Sequence, residues 1–209
     1  MGEPVDVEFD RQRDELVELG YPAMAGVSVG EFVELVEPLR GAVRDAAVGR
    51  DGGTVGFVIV VPGVRAEDTI PLVRLAGGTA AGVVDRNHGD EGLAPYRPLP
   101  ELGVPDAPAY VLLDIDRGEE FLDVRPRDAL PVILGRGRTP LTIHEGIALV
   151  TLFPAILEKN RCFMLSGSRR GDRRVPAVWI SGRAPKFGWC WEGNPHTWLG
   201  TASAAARAT

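Results

Sequence analysis

Tryptophan and arginine, whose side chains bind flat and anionic molecules, are concentrated in one part of the sequence. All four tryptophans fall between Trp179 and Trp198. A group of four arginines precedes them, at positions 169, 170, 173 and 174. Guanidinium groups bind phosphate or carboxylate through paired hydrogen bonds, and they also stack on aromatic rings. The stretch from about 161 to 200 is therefore the predicted working surface, with chemistry suited to an anionic, partly flat molecule.

The aromatic residues also have a spacing that matters. If residues 186–191 form a strand, alternation places Phe187, Trp189 and Trp191 on one face and Gly188 and Cys190 on the other. Three rings on one face can stack against a flat ligand or can form a thick layer of the core. The sequence leaves both interpretations open.

The binding hypothesis assigns a role to individual side chains. Arg169 and Arg173 would hold the anion, and Asn194 would orient a polar group. His196 titrates near neutral pH and is the predicted catalytic residue if there is turnover. A helix-capping Asn followed by a half-buried His explains the same residues, so whether the protein is an enzyme stays open. The predicted ligand-binding set is Arg169, Arg173, Trp179, Trp189, Trp191 and Asn194.

Other site chemistries find little support. Cys162, Cys190 and His196 lack the paired spacing of a closed zinc site, so no metal is predicted. Asp114 and Asp116 suit either a hard cation or a solvated turn. Cys190 is either a nucleophile or a buried thiol. Phosphate-loop, dinucleotide and nucleophile-elbow signatures are absent, so no cofactor is predicted.

Charge is distributed unevenly along the chain. Residues 159–186 contain eight basic side chains and one acidic side chain, a local charge of +7, whereas the whole chain carries −6. This asymmetry indicates a surface that faces an anion. A small metabolite is the preferred partner, and overall acidity disfavours nucleic acid as the second alternative. The first alternative is a protein-interaction or structural module, because Trp and Arg are enriched at interface hot spots.

Length and composition place the protein among ordinary globular chains. Its 209 residues, 44% of them hydrophobic, suit one domain over 1–209. Only two cysteines are present, which favours a reducing compartment. The first residues lack the pattern of a secretory signal, and no apolar run is long enough for a membrane span. These features predict a cytoplasmic protein without membrane association; its oligomeric state stays unknown.

Two kinds of element are predicted to position these residues. The part from about 8 to 48 reads as helical, with a Ser28–Glu31 capping box, and a turn follows at Asp51. The apolar run 55–61 is typical of a central strand covered on both faces. Residues 86–108 form a long connection rich in Pro and Gly. Connections of this length in compact domains are often functional lids or packed surface crossings. A second capping box at Thr142 begins an apolar helix that extends to Glu158.

The C-terminal part, about 159–200, is predicted to contain three strands at 161–166, 175–181 and 186–191. The first two form a hairpin around the arginines at 169–174. Asn194 followed by Pro195 suggests a final helix. This element order predicts an α+β fold in one domain, with helices packed on a mixed or antiparallel sheet.

Two C-terminal motifs resemble a known family. The runs GSRRGDRRVP, from Gly167 to Pro176, and GWCWEGNPHTWLG, from Gly188 to Gly200, are similar to an uncharacterised actinobacterial domain-of-unknown-function family of about 200 residues. The resemblance extends over nearly the whole chain. It implies a single-domain cytoplasmic protein and brings no assigned catalytic residues.

Overall fold

The structure, a computed structural model, describes residues 3–46 and 54–209, so the predicted turn at Asp51 and the last residues of the predicted helical part lie outside it. None of the helices in these two ranges combines the length and the apolar character that a membrane crossing requires. The fold is α+β, as predicted. Its helices are α1 Glu3–Glu18, α2 Tyr21–Met24, α3 Val29–Val36, α4 Leu39–Asp45, α5 Ala66–Thr69, α6 Pro126–Gly135 and α7 Ile143–Leu152.

The strands form a four-stranded, a five-stranded and a two-stranded sheet in the described part of the chain. The first is antiparallel with the order β1-β4-β11-β5, and the second is mixed with the order β10-β6-β8-β9-β2. Strands β3 and β7 pair by themselves. The strands are β1 Thr54–Val60, β2 Val83–Val84, β3 Arg97–Pro98, β4 Tyr110–Asp116, β5 Thr139–Pro140, β6 Cys162–Met164, β7 Ser168–Arg169, β8 Arg174–Ser181, β9 Ala184–Trp191, β10 Leu199–Thr201 and β11 Ser203–Ala208.

The N-terminal helices begin and end where local signals direct them. The Ser28 hydroxyl accepts a hydrogen bond from the Glu31 amide at 3.2 Å, and the Glu31 carboxylate accepts one from the Ser28 amide at 2.8 Å. This is the predicted capping box of α3. Pro38 interrupts the predicted helical part, because α3 ends at Val36 and α4 begins after the proline.

Strand β1 was expected at the centre of its sheet, and this expectation is wrong. Among the described residues it pairs only with β4, yet Val58 and Ile59 are fully buried because α1 covers its free edge. The buried Gln12 side chain donates to the Phe57 carbonyl at 3.0 Å and accepts from the Ile59 amide at 2.9 Å. The amide of one helical residue thus replaces a neighbouring strand, which explains how an edge strand can be apolar on both faces.

Helix α7 starts on a buried ion pair. Thr142 and Glu145 form the predicted capping box, and Glu145 is fully buried. Its carboxylate accepts hydrogen bonds from Arg207 on β11 at 2.5 and 3.0 Å and from the Tyr110 hydroxyl at 2.9 Å. The helix ends at Leu152, before Pro154, and is therefore shorter than the predicted helix to Glu158. The ion pair joins the start of α7 to both central strands of the four-stranded sheet.

The C-terminal part contains the predicted strands but not the predicted final helix. Strands β6 and β8 pair antiparallel as expected, and β8 and β9 form a second, longer hairpin. Residues after Asn194 instead lead into β10, parallel to β6, and then into β11. Asn194 acts in a turn, where its amide donates to the Trp191 carbonyl at 3.0 Å. Strand pairing across the molecule has overridden the local helix-start signal.

Candidate functional site

The loop between β6 and β8 carries the predicted arginines and lies beside the exposed end of β9. The β8–β9 register opposes Arg174 to Trp191 and Pro176 to Trp189. As a result, the Arg174 guanidinium lies 4.7 Å from the ring centre of Trp189 and 5.9 Å from that of Trp191. The two indoles meet edge to face, with ring centres 4.8 Å apart. Arginine and tryptophan therefore form one stacked group, as the composition suggested.

The segment that follows β2 forms the second wall of this site. Strand β2 pairs with β9, and the Asp85 amide continues the pairing by donating to the Phe187 carbonyl at 2.7 Å. The Asp85 carboxylate accepts from the Asn87 amide at 2.8 Å, which turns the chain. The Trp189 indole then donates to the Asn87 carbonyl at 3.1 Å. These bonds fix the start of the long connection, and with it His88, against β9.

Four polar side chains meet between the two walls: His88, Tyr96, Arg170 and Arg174, which we call the polar cluster. The His88 and Tyr96 rings contact edge to face, with centres 5.6 Å apart. The Arg170 guanidinium lies 5.8 Å from the centre of the Tyr96 ring. His88 and Tyr96 are 3% and 6% exposed, so the cluster lies beneath the protein surface.

Several buried atoms of the polar cluster have no hydrogen-bond partner among the described residues. They are both ring nitrogens of His88, the Tyr96 hydroxyl, Nη1 of Arg170 and Nε of Arg174. The backbone of Gly188 is near the His88 ring but does not satisfy these nitrogens. Leaving a polar group buried and unpaired costs about 1–3 kcal/mol, so such atoms are uncommon and call for an explanation.

Nearby carboxylates pair with only part of the two guanidinium groups. Arg170 donates through Nη2 to Glu91 at 2.9 Å, and its Nε lies 3.5 Å from Asp172. The Arg174 Nε lies 3.6 Å from the same Asp172 carboxylate, beyond hydrogen-bond distance. Glu91 is largely exposed, so water weakens its pairing with Arg170. Each arginine therefore keeps a buried donor without a hydrogen bond: Nη1 of Arg170, and Nε of Arg174, which is too far from Asp172 to form one.

Burial determines the protonation of the two ring residues in the polar cluster. It lowers the pKa of His88 below its ordinary value; Asp85 opposes this effect, and Arg170 and Arg174 add to it. The imidazole is therefore neutral at pH 7. Burial raises the pKa of Tyr96 to about 12, although the neighbouring arginines favour the phenolate. Tyr96 thus keeps its proton and can donate it in a hydrogen bond.

The two arginines of the predicted site, Arg169 and Arg173, do not belong to the polar cluster. Arg169 lies in β7, where Nη1 donates to the carbonyls of Ser166 and Ser168 at 2.6 and 3.0 Å. Burial lowers its pKa. Arg173 is exposed, and its main chain accepts a hydrogen bond from the Glu192 amide at 2.9 Å. Their neighbours Arg170 and Arg174 are the ones that face His88 and Tyr96.

The remaining predicted residues lie apart from the polar cluster. Trp179 packs across Gly188, on the face of the hairpin opposite Trp189 and Trp191, where a side chain at 188 would collide with the indole. It contacts Trp198 with ring centres 6.0 Å apart, and His196 contacts Trp198 at 5.4 Å. Burial lowers the pKa of His196. The predicted site is thus divided between two faces, with the exposed Asn194 in the turn between them.

The structure also bears on the two alternative chemistries, metal binding and a cysteine nucleophile. Within residues 3–46 and 54–209, no group of three His, Cys, Asp or Glu side chains is arranged to hold a metal ion. Asp114 pairs with Arg138 at 2.9 Å, and Asp116 accepts from the Gly118 amide at 2.6 Å, so both carboxylates serve the fold. Burial raises the pKa of Cys190 to about 12, which leaves an inert thiol rather than a nucleophile.

His88 and Tyr96 were missed by sequence reasoning. Both lie in the long connection 86–108, whose length predicts either a functional lid or a packed surface crossing and indicates no particular residue within it. A lone His and a lone Tyr in an irregular segment carry no spacing signal. Their meeting with the arginines depends on the pairing of β2 with β9, a contact between residues about one hundred positions apart.

Comparison with known proteins identifies the family of this chain but no individual similar protein. The model of a family described as a family of unknown function, DUF5701, matches residues 15–209. No curated protein and no solved structure matches the chain. The matched range includes the whole polar cluster and both large sheets.

Proposed function

The chain belongs to DUF5701, a family of unknown function, so its function must be inferred from the site itself. From the site geometry we propose that the protein binds a small anionic, partly flat metabolite. The polar cluster holds the anionic group, and the rings at the end of β9 lie under the flat part. One observation carries the proposal: three side chains of the polar cluster, Arg170, Arg174 and Tyr96, each keep a buried donor without a hydrogen-bond partner among the described residues.

An anion suits these atoms better than any neutral group. Two guanidinium donors and a phenolic hydroxyl offer hydrogen bonds to the same kind of acceptor, a carboxylate or phosphate oxygen. Hydrogen bonds to a charged partner contribute about 1.5–3 kcal/mol each, which offsets the cost of burying the donors. The neutral His88 imidazole adds one donor and one acceptor, so it can also bind a hydroxyl on the same ligand.

Not all three aromatic rings of β9, Phe187, Trp189 and Trp191, are accessible for stacking on a ligand. Phe187 is 2% exposed and belongs to the core, and the Arg174 guanidinium lies over Trp189. Trp191 is 42% exposed and offers the accessible ring surface. A flat ligand would therefore stack on Trp191 and on the plane of Arg174, with its anionic end directed towards Arg170.

Thermal unfolding in the presence of chosen anions tests the proposal. Inorganic phosphate, benzoate and naphthalene-2-sulfonate form a series of increasing flat area, and a ligand that binds the folded state raises Tm by mass action. We expect the flat anions to stabilise more than phosphate does. Arg170→Gln or Arg174→Gln should weaken binding about tenfold, since each removes one charge-assisted hydrogen bond.

Arg173→Gln is the matched control, because Arg173 is in the same loop, carries the same charge and is exposed. It should leave the benzoate affinity close to that of the wild type. Equal losses in all three variants would mean that charge alone attracts the anion and would refute a built site. Absence of any stabilisation by the three anions would also contradict the proposal.

A further inference from the structure

A second concave region lies on the other side of Tyr96. It is a cleft of about 1040 Å³ between the chain that follows β1, the long connection from about 93 to 108, and the start of α7. Small-molecule sites in proteins commonly enclose about 300–1,000 Å³, so the cleft is large enough for a whole organic ligand. Most of its wall consists of proline and aliphatic side chains, and its titratable side chains are Arg65, Glu67, Tyr96, Arg97, Asp106 and His144.

His144 is the polar group of this cleft that is best placed to bind a ligand. It is the second residue of α7, and its imidazole forms no hydrogen bond with the described residues. Burial lowers the pKa of His144, although Glu145 and Glu67 favour the charged form. The neutral ring therefore offers one donor and one acceptor at pH 7.

The position of His144 is fixed by its neighbours. The Ile143 amide donates to the buried Ser168 hydroxyl at 3.0 Å, and the Thr142 amide donates to Glu145 at 2.7 Å. Arg207 pairs with the Glu145 carboxylate at 2.5 Å, which offsets part of the effect of that carboxylate on His144. A side chain held by such a rigid support binds at a lower entropic cost than one on a free loop.

The fixed charges of the cleft balance one another. Arg65 and Arg97 face Glu67 and Asp106 around the same wall. Arg65 lies 3.9 Å from Glu67, and Arg97 is held by the main chain, donating to the Tyr96 carbonyl at 2.8 Å. The cleft therefore has no excess of either sign, in contrast to the polar cluster, where two arginines keep unpaired donors.

From this balance we infer that the cleft is a second binding site, for an uncharged and mostly apolar organic molecule whose hydroxyl or amide group hydrogen bonds to His144. The apolar wall provides the area for burial, and the neutral imidazole selects for a polar group without charge. The two acidic side chains of the wall, Glu67 and Asp106, offset the attraction of the two arginines for an anionic ligand. This inference does not depend on anion binding at the polar cluster.

Benzamide and benzoate provide a matched pair of probes, because they have nearly the same shape and differ in charge. In the wild-type protein with ¹⁵N-labelled histidine, NMR resolves the imidazole signals of His88, His144 and His196. Benzamide should shift the His144 signals saturably and lower the apparent pKa of His144, since it binds the neutral ring. The signals of His196 should stay in place.

Two variants separate this site from the polar cluster. His144→Phe keeps an aromatic ring but removes both ring nitrogens, and it should weaken benzamide binding about fivefold, the value of one neutral hydrogen bond. Arg170→Gln should leave benzamide binding unchanged while it weakens benzoate binding. The inference is overturned if benzamide leaves the His144 signals of the folded wild type unmoved, if it shifts all three histidines alike, or if benzoate displaces it from His144 at equal affinity.

Discussion

At the scale of single residues, the most informative group is His88, a buried imidazole next to two arginines. Burial and these cations lower its pKa. Between its ordinary pKa of about 6.5 and the lower value in the folded protein, the unfolded chain binds a proton that the folded chain does not. Stability is therefore lost as the pH falls below about 6.5, while above that pH the His88 contribution is constant.

The direction of this pH dependence gives a prediction for His88→Gln, which replaces the titrating imidazole with an uncharged polar amide. In a buffer without phosphate or carboxylate, the wild type should lose more Tm than the variant between pH 7.5 and pH 5.5. Calorimetric unfolding at both pH values measures the difference. A wild type and a variant with parallel pH profiles would show that His88 does not titrate abnormally.

At this scale the sequence indicated arginine and aromatic side chains but did not distinguish Arg170 and Arg174 from the arginines beside them. The four arginines of the loop are equivalent in sequence. Arg169 lies in the short strand β7 and donates to main-chain carbonyls, and Arg173 is exposed. Arg170 and Arg174 face His88 and Tyr96 instead. That choice depends on the pairing of β7 with β3, which no local pattern indicates.

At the scale of elements, the contact of α1 with β1 has the clearest energetic consequence. Gln12 satisfies the Phe57 carbonyl and the Ile59 amide at the buried edge of the strand. Gln12→Leu preserves the apolar volume but leaves both backbone groups unpaired. We expect a loss of about 2–6 kcal/mol in the free energy of unfolding, since each of the two unpaired buried groups costs about 1–3 kcal/mol.

Urea unfolding of Gln12→Leu measures this loss, and Glu18→Gln on the exposed side of α1 is the control. The control should unfold at the wild-type midpoint. If Gln12→Leu also unfolds there, the amide does not act as a surrogate strand.

Elements with complete local signals were predicted well, and those defined by distant pairing were not. Capping boxes at Ser28 and Thr142 contain their own hydrogen-bond partners within four residues, so the starts of α3 and α7 were correct. Strands β10 and β11 have little β-forming sequence, and β11 is rich in alanine. They are strands because β6, β4 and β5 offer them partners, and this information lies elsewhere in the chain.

At the scale of the whole molecule, β11 connects regions that are otherwise distant in the sequence. It lies between β4 and β5, and its Arg207 pairs with Glu145 beneath the start of α7. Removing residues 203–209 takes away an interior strand and leaves a fully buried carboxylate without its cation. We expect this shortened chain to show no cooperative thermal transition by circular dichroism.

Arg207→Gln in the full-length chain separates the two effects, because β11 remains while the ion pair is lost. Breaking a buried ion pair by removing one partner costs about 3–5 kcal/mol, so this variant should fold with a lower Tm. A shortened chain that unfolds cooperatively at the full-length Tm would refute the role assigned to β11.

The place of β11 also governs when a newly made chain can fold. Strands β1 and β4 leave the ribosome early, but the edge of β4 that β11 covers stays open until residue 208 has been synthesised. An open strand edge invites pairing with other chains and binding by chaperones. We therefore expect translation products that stop before this strand to remain substrates for chaperones and proteases, and to accumulate less than chains that include it.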